Sequence, residues 1–416
     1  MKRAVTQFIS LIVFFSFLAS STAQERKNEI KQLTKDVEYL ASDKLKGREA
    51  GTKQEKTAAE YIAKRFESIG LTPLGEKDGD KITYFQSVDF PKSKDPHTGE
   101  ESEERLSGIN VVGYLDNGGR NNVTIGAHFD HLGMGGENSF DETEGIHNGA
   151  DDNASGVALL THLAERLKSS KYKRNNYIII AFTGEEKGLY GSNYFLKHPP
   201  FFLNVMNYMI NLDMVGRYDP EKGLVINGVG TSPIWISTLE KANTMNLKYK
   251  VTESGIGRSD QTSFYLKDVP AIHFFTGSHE DYHRSTDDAD KINYEGMLIV
   301  SDYVFNVIGE LNTKLKLAFT RTKDEDESNA PRYKVSLGVI PDYLFEGPGM
   351  RIEGVKQDRP GSNAGLLAGD IVVKMGEVDV KNMKSYMEGL SKLEEGQKAK
   401  VIVLRGEEEL EFEVQF

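Results

Sequence analysis

Between residues 108 and 275 the chain is built from short, almost unbroken apolar runs. These runs constrain the kind of sheet it can make. "NVVGYL", "NVTIGAH", "YIIIAFT", "NYMINLDMV", "GLVINGV" and "VPAIHFF" lack the strict alternation of a strand with one wet face. A continuous apolar run suits a strand covered on both sides, and helices are what usually cover it. Helix-like stretches do intervene, among them "SGVALLTHLAERLKSS", "SPIWISTLEKANTMN" and a final "NYEGMLIVSDYVFNVIGELNTKL". The pattern implies an α/β domain with a mostly parallel central sheet flanked by helices. Two more helices are expected ahead of it. Ile30, Leu33, Val37 and Leu40 recur at helical spacing, and "KTAAEYIAKRFESIGL" repeats the pattern and stops at Gly70.

The ends of the chain read differently. Lys2 and Arg3 precede "FISLIVFFSFLA" and then "SSTAQE". A positive start, a short apolar core and small residues predict a signal peptide over 1–23, cleaved after Ala23. Export to the periplasm or the extracellular space follows, with no stable membrane span after removal. The chain has no cysteine, so the core must hold by packing and any metal must be bound through nitrogen and oxygen. Lys and Arg number 51 against 63 Asp and Glu, a net charge of −12, which argues against nucleic acid as a partner. The α/β domain is expected over 24–319. A charged stretch, "TRTKDEDESNAPR", predicts a linker over 320–332. Beyond it, 333–416 carries short β-like runs and one helix-like segment, "MKSYMEGLSKL", as a small β-rich second domain.

Ligands of open α/β sheets bind outside the carboxyl ends of the strands, and there the polar residues gather. His128 and Asp130 follow "NVTIGA", Glu185 and Glu186 follow "YIIIAFTG", Asp213 follows "NYMINL", and His283 follows "AIHFFTGSHEDY". Asp151 and Asp152 stand before a helix in "HNGADDNASG". Each has an ordinary explanation alone: a surface turn, an N-cap, an acidic first turn. Asp213 is the exception, because a carboxylate in an apolar run costs free energy unless it is paired or binds metal. Together at one sheet edge, imidazoles and carboxylates without thiolates suit catalytic Zn²⁺, and Mn²⁺ or Co²⁺ accept the same donors. These donors exceed the three that one catalytic zinc needs, whereas two ions sharing a carboxylate would use five of them.

The ordered set "AHFDH", "NGADDNASG", "FTGEEKGLYGS", "INLDMVG" and "DYHRSTDD" resembles the secreted two-zinc aminopeptidase-like metallopeptidases, whose relatives include glutamate carboxypeptidases and glutaminyl cyclases. The resemblance covers about residues 30–315. It implies a zinc exopeptidase fold and His128 and Asp213 on one zinc. It places Glu186 and His283 on the other, with Asp151 bridging. It makes Glu185 the general base that takes a proton from the attacking water and returns it to the leaving amine. Asp130 is expected to orient His128, Asp152 to be structural, and Tyr282 to donate to the oxyanion. "GIGRSDQTSF" resembles a substrate-pocket loop, but Gln261 stands where many relatives have His, so no role carries over there. The C-terminal region resembles a PDZ domain through "VSLGVIPDY" and "RPGSNAGLLAGDIVV". Leu337, Gly338 and Val339 then fall in its peptide-binding loop, which would hold an extended chain terminus by β-augmentation. Peptides are the implied substrates and removal of N-terminal residues the implied activity. A carboxypeptidase, served by Arg258 or Arg284, a glutaminyl cyclase, or a non-catalytic peptide-binding protein are the competing expectations.

Overall fold

The computed structural model describes residues 23–92, 102–136, 138–141, 143–322, 335–341, 345, 347–355, 359–406 and 408–416. Residues 1–22 of the expected signal peptide and most of the expected linker lie outside these residues. Among the described residues no helix is long and apolar enough to cross a membrane.

The helix-like N-terminal stretches form α1 (residues 23–40) and α2 (Lys53–Ile69). The Thr52 side chain accepts from the Glu55 backbone at the start of α2, and Gly70 ends it in a left-handed conformation, φ 80°. Nine strands make one sheet: β1 (Thr72–Pro73), β2 (Phe85–Pro91), β3 (Arg105–Leu115), β4 (Asn122–His128), β5 (Asn176–Phe182), β6 (Met206–Leu212), β7 (Leu224–Asn227), β8 (Tyr249–Thr252) and β9 (Ala271–Phe275). Their order is β1-β3-β5-β4-β6-β9-β7-β8, with β2 also on β3. The domain is α/β as the sequence implies, and the sheet is mixed. Its centre, β5-β4-β6-β9, is parallel. β1, β2 and β3 join antiparallel on one flank, and β7 joins antiparallel to β9 on the other. Every residue of β4, β5 and β6 is buried, as their unbroken apolar runs demand. Helices α3 (Gly156–Ser169), α4 (Trp235–Ala242) and α5 (Tyr294–Leu311) cover the sheet and share its main core.

The parallel centre has a direct consequence for chemistry. His128 pairs with Phe182, Gly126 with Asn211, and Leu212 with Phe274. The four strands therefore end together, and the loops after them open at one edge.

The C-terminal domain has its own sheet: β10 (Val339–Pro341), β11 (Met350–Val355), β12 (Ile371–Met375), β13 (Val378–Asp379), β14 (Lys398–Arg405) and β15 (Glu408–Gln415), with α6 (Met383–Ser391) beside it. Its apolar core draws only on its own residues.

Candidate metal centre and active site

His128 closes β4 and is 1% exposed. Its Nδ1 lies 3.2 Å from the Asp130 carbonyl, which leaves Nε2 facing the Asp152 and Asp213 carboxylates, each at 3.3 Å. His283 is built the same way from the loop after β9. Its Nδ1 lies 2.8 Å from the Asn138 carbonyl, and its Nε2 faces Glu186 at 3.3 Å and Asp152 at 3.4 Å. Burial opposes protonation, but the surrounding carboxylates raise both imidazoles above their ordinary range, His283 to about 10. Each Nε2 therefore faces them as an N–H donor or, with Nδ1–H kept on the backbone carbonyl, as a ligand beside them for a shared cation. The spacing fits one: two ligand atoms about 2.0–2.1 Å from a tetrahedral zinc lie about 3.3 Å apart.

Two groups of ligand atoms converge, His128–Asp152–Asp213 and His131–Asp152–Glu186, and Asp152 belongs to both. The carboxylate common to both groups is therefore Asp152, in place of the expected Asp151. The backbone explains the exchange. Gly149 turns left-handed at φ 56°, where a Cβ would meet the Asp152 carbonyl at 2.1 Å, and Asp152 itself leaves helical geometry at φ −105°, ψ 91°. Asp151 then faces away. Its Oδ1 accepts from the Gly216 N–H at 2.6 Å and the Ser155 hydroxyl at 3.0 Å, and its Oδ2 lies 3.0 Å from His279 Nε2. So Asp151 is the structural member of the pair.

Asp130 faces the His128 ring with both its groups: its carbonyl lies 3.2 Å and its carboxylate 3.8 Å from Nδ1, and the carboxylate also accepts the Glu185 N–H at 3.1 Å. Asp130 thus ties the turn bearing the two glutamates to the end of β4. Glu185 and Glu186 follow Gly184, whose φ of 64° starts that turn. Burial pushes the Glu185 carboxyl well above its usual range, with the Asp213 and Glu186 charges adding to it and His128 opposing it. Glu186 moves the other way, down to about 2: burial opposes this, but His283 and His131 outweigh it. The two carboxylates share a sequence position, not an environment. Tyr282 stacks on His283 with ring centroids 3.9 Å apart and lines the same cavity. Burial, with Asp152 and Glu186 nearby, raises its hydroxyl well above 10 and keeps it a proton donor.

Several contributors were not singled out from sequence. His131 was in view as the second imidazole of "HFDH". Its Nδ1 lies 2.8 Å from Glu186, the length of a hydrogen bond. Asn153 clamps the bridge, donating to the Leu212 carbonyl at 3.0 Å and accepting from the Met214 N–H at 3.2 Å. Asp287 accepts the N–H groups of both Asp151 and Asp152, at 2.8 and 3.0 Å, and itself pairs with Arg217. Arg48 is fully buried and donates to four carbonyls, those of Leu40, Phe129, Asn148 and Gly149. The last three flank the His128 and Asp152 segments. Gln261, buried, accepts from Asn211 at 3.3 Å. In the second domain Leu337 is fully buried in the core, and the Gly338 N–H donates to Ser336 at 3.0 Å.

Residues 110–308 match Peptidase family M28, and residues 318–416 match the PDZ domain. The Escherichia coli protein YfbL is 24% identical over 348 residues, covering 74% of this chain and 99% of YfbL. A probable leucine aminopeptidase 2 from Aspergillus oryzae is 27% identical over 49% of this chain and 44% of its own length, so the chain spans under half of that relative. Among solved structures, a Zn-dependent exopeptidase from Parabacteroides distasonis superposes with a TM-score of 0.54 at 18% identity, covering 67% of this chain and 97% of its own. Bacteroides thetaiotaomicron glutaminyl cyclase does so with a TM-score of 0.53 at 19% identity, covering 67% and 97%. At these identities the two structures speak for the fold.

Proposed function

We propose that this chain, which belongs to peptidase family M28 through residues 110–308, is a zinc-dependent exopeptidase that removes N-terminal residues from peptides. The observation that carries this reading is the shared Asp152, which joins two ligand groups beside a glutamate held out of the ligand shell. His128, Asp152 and Asp213 would hold one zinc, and His283, Asp152 and Glu186 a second, with His131 donating to Glu186. Zinc bound there would supply Lewis acidity toward the scissile carbonyl and would acidify water.

The remaining work belongs to side chains. Glu185, raised by burial, takes the proton of the attacking water and delivers it to the leaving amine nitrogen. Tyr282 donates its hydroxyl proton toward the oxygen that gains charge. Asp130 accepts the Glu185 N–H and so ties the backbone of the base to the end of β4. The test is hydrolysis of aminoacyl p-nitroanilides by residues 24–416, before and after exhaustive metal removal. Loss on chelation and recovery with zinc are expected. Undiminished hydrolysis by the metal-free protein overturns the reading.

The likeness to a glutaminyl cyclase gives a second reading. Incubation with a glutaminyl peptide separates the two. A cyclase releases ammonia and leaves a blocked N-terminus, whereas the exopeptidase releases a free amino acid.

A further inference from the structure

The ligand cluster lines a partly open cleft. It forms one side of a cavity of about 920 Å³ whose other side is contributed by the PDZ domain, through Phe345, Met350, Lys381 and Met387. From this we propose that the PDZ domain is the far wall of the substrate cleft, that it restricts the enzyme to short peptides, and that Lys381 receives their free C-terminal carboxylate. The proposal rests on the exopeptidase reading and adds a substrate class to it.

Three observations support it. The first is size. Cavities of about 300–1,000 Å³ enclose most of a drug-sized ligand, and an extended chain advances about 3.3–3.6 Å per residue. Such a volume suits a peptide of a few residues, whereas a long chain would need an opening past the PDZ wall. The second is that the wall is built rather than loose. The Lys381 N–H donates to the Ser385 hydroxyl at 2.7 Å, and its carbonyl accepts from the Gly349 N–H at 3.1 Å. That joins the start of α6 to the turn before β11, and Gly347 and Gly349 of this turn also line the cavity. The Arg351 guanidinium lies 5.0 Å over the Phe345 ring and helps to hold it. The third is charge. Carboxylates crowd the peptidase side around Arg258, its single lining arginine or lysine, and Lys381 is the exposed cation among the lining residues of the PDZ side. A short free peptide carries an ammonium at one end and a carboxylate at the other, and its two ends match the two sides of the cleft.

The experiment uses the mature chain and four probes: an alanyl p-nitroanilide, trialanine, trialanine amide and a ten-residue alanine-rich peptide. Trialanine should exceed the ten-residue peptide in kcat/KM by at least about tenfold. Lys381→Glu should lower kcat/KM for trialanine about tenfold, through KM, and leave the amide and the p-nitroanilide within about twofold. Because the chain has no cysteine, Lys381→Cys offers a single thiol. Its reaction with a bulky maleimide should block trialanine and spare the p-nitroanilide. Equal cleavage of the long and short peptides overturns the proposal, as does a Lys381→Glu variant indistinguishable from the parent on trialanine. If none of the four probes is cleaved by the zinc-loaded parent, the exopeptidase reading itself falls, and this proposal with it.

Discussion

Asp151 and Asp152 are separated by one peptide bond, yet they make opposite commitments, and substitution should reveal them. Asp152→Asn removes the charge that both ligand groups share. Zinc retained after dialysis should fall from two ions per chain to one or none, with turnover reduced more than about 100-fold. Asp151→Asn instead weakens buried hydrogen bonds to Gly216, Ser155 and His279. It should cost about 1–3 kcal/mol in stability and keep zinc. Zinc content by atomic emission, set beside urea denaturation, tells the two apart, and the reverse pattern would restore Asp151 as the bridge. Glu185→Gln should keep both ions and lose about 10²–10⁴-fold in turnover. The sequence made most of this centre legible, because His128, Glu185, Glu186, Asp213 and His283 each follow an apolar run that had to be a buried strand. It could not choose between the aspartates, since that choice depends on the φ and ψ of the loop after Gly149. Nor could it find Arg48, one of three cations in "DKLKGRE", which beside a glycine resembles a solvent-exposed turn residue. Only the long-range fold brings four carbonyls around it. Burial lowers the Arg48 pKa to about 10 and the acidic residues of the centre oppose that shift, so it stays charged at neutral pH. Arg48→Lys cannot span the same four acceptors. It should weaken zinc affinity about 10–100-fold, read by competition with a chromophoric chelator.

At the scale of elements, α3 both starts at the metal loop and seals the sheet, and its interior holds a titratable group with no role in the site. His162 is buried, and its Nε2 has no hydrogen-bond partner. Burial first, then the Arg166 charge, lowers its pKa to about 4; Asp302 opposes this, and Arg26 and Arg65 add to it. The folded value lies below the unfolded value of about 6.5, so the fold favours the neutral ring. Above pH 6.5 this costs nothing. As the pH falls from 6.5 toward 4 the unfolded chain takes a proton that the folded chain refuses, and stability is lost. Between pH 7.5 and pH 5 the loss due to His162 should be about 2 kcal/mol. His162→Leu should remove that part of the acid limb, as read by denaturant melts at the two pH values. Equal pH dependence of parent and variant would mean that the ring titrates alike in the folded and the unfolded chain. The identity of α3 was legible from "SGVALLTHLAERLKSS", as were the central strands from their unbroken apolar runs. The antiparallel flanks were not. A run such as "NVVGYL" says that a strand is buried, but its direction is set by which neighbour it meets, and β3 meets β5 rather than β4.

Across the whole molecule, the apolar clusters of the described residues fall into two sets that share no residue. Three clusters belong to the peptidase sheet and its helices, and one is confined to the PDZ region. With no disulfide to couple them, the two should unfold as separate cooperative units, visible as two transitions in calorimetry. Ligands then report which unit they touch, because anything bound only by a folded unit raises that unit's transition. The residues proposed to hold zinc all belong to the peptidase region, so chelation should lower one transition and leave the other in place. A peptide in the shared cleft touches both units. In the Glu185→Gln variant, loaded with zinc so that the peptide is bound but not cleaved, trialanine at 100 times its Kd should add about 2.7 kcal/mol to the stability of whichever units hold it. Both transitions should rise. Lys381→Glu should cancel the rise in the PDZ transition while sparing part of the rise in the peptidase transition. A trialanine shift confined to the peptidase transition would place the whole substrate on one domain and remove the PDZ wall from the cleft.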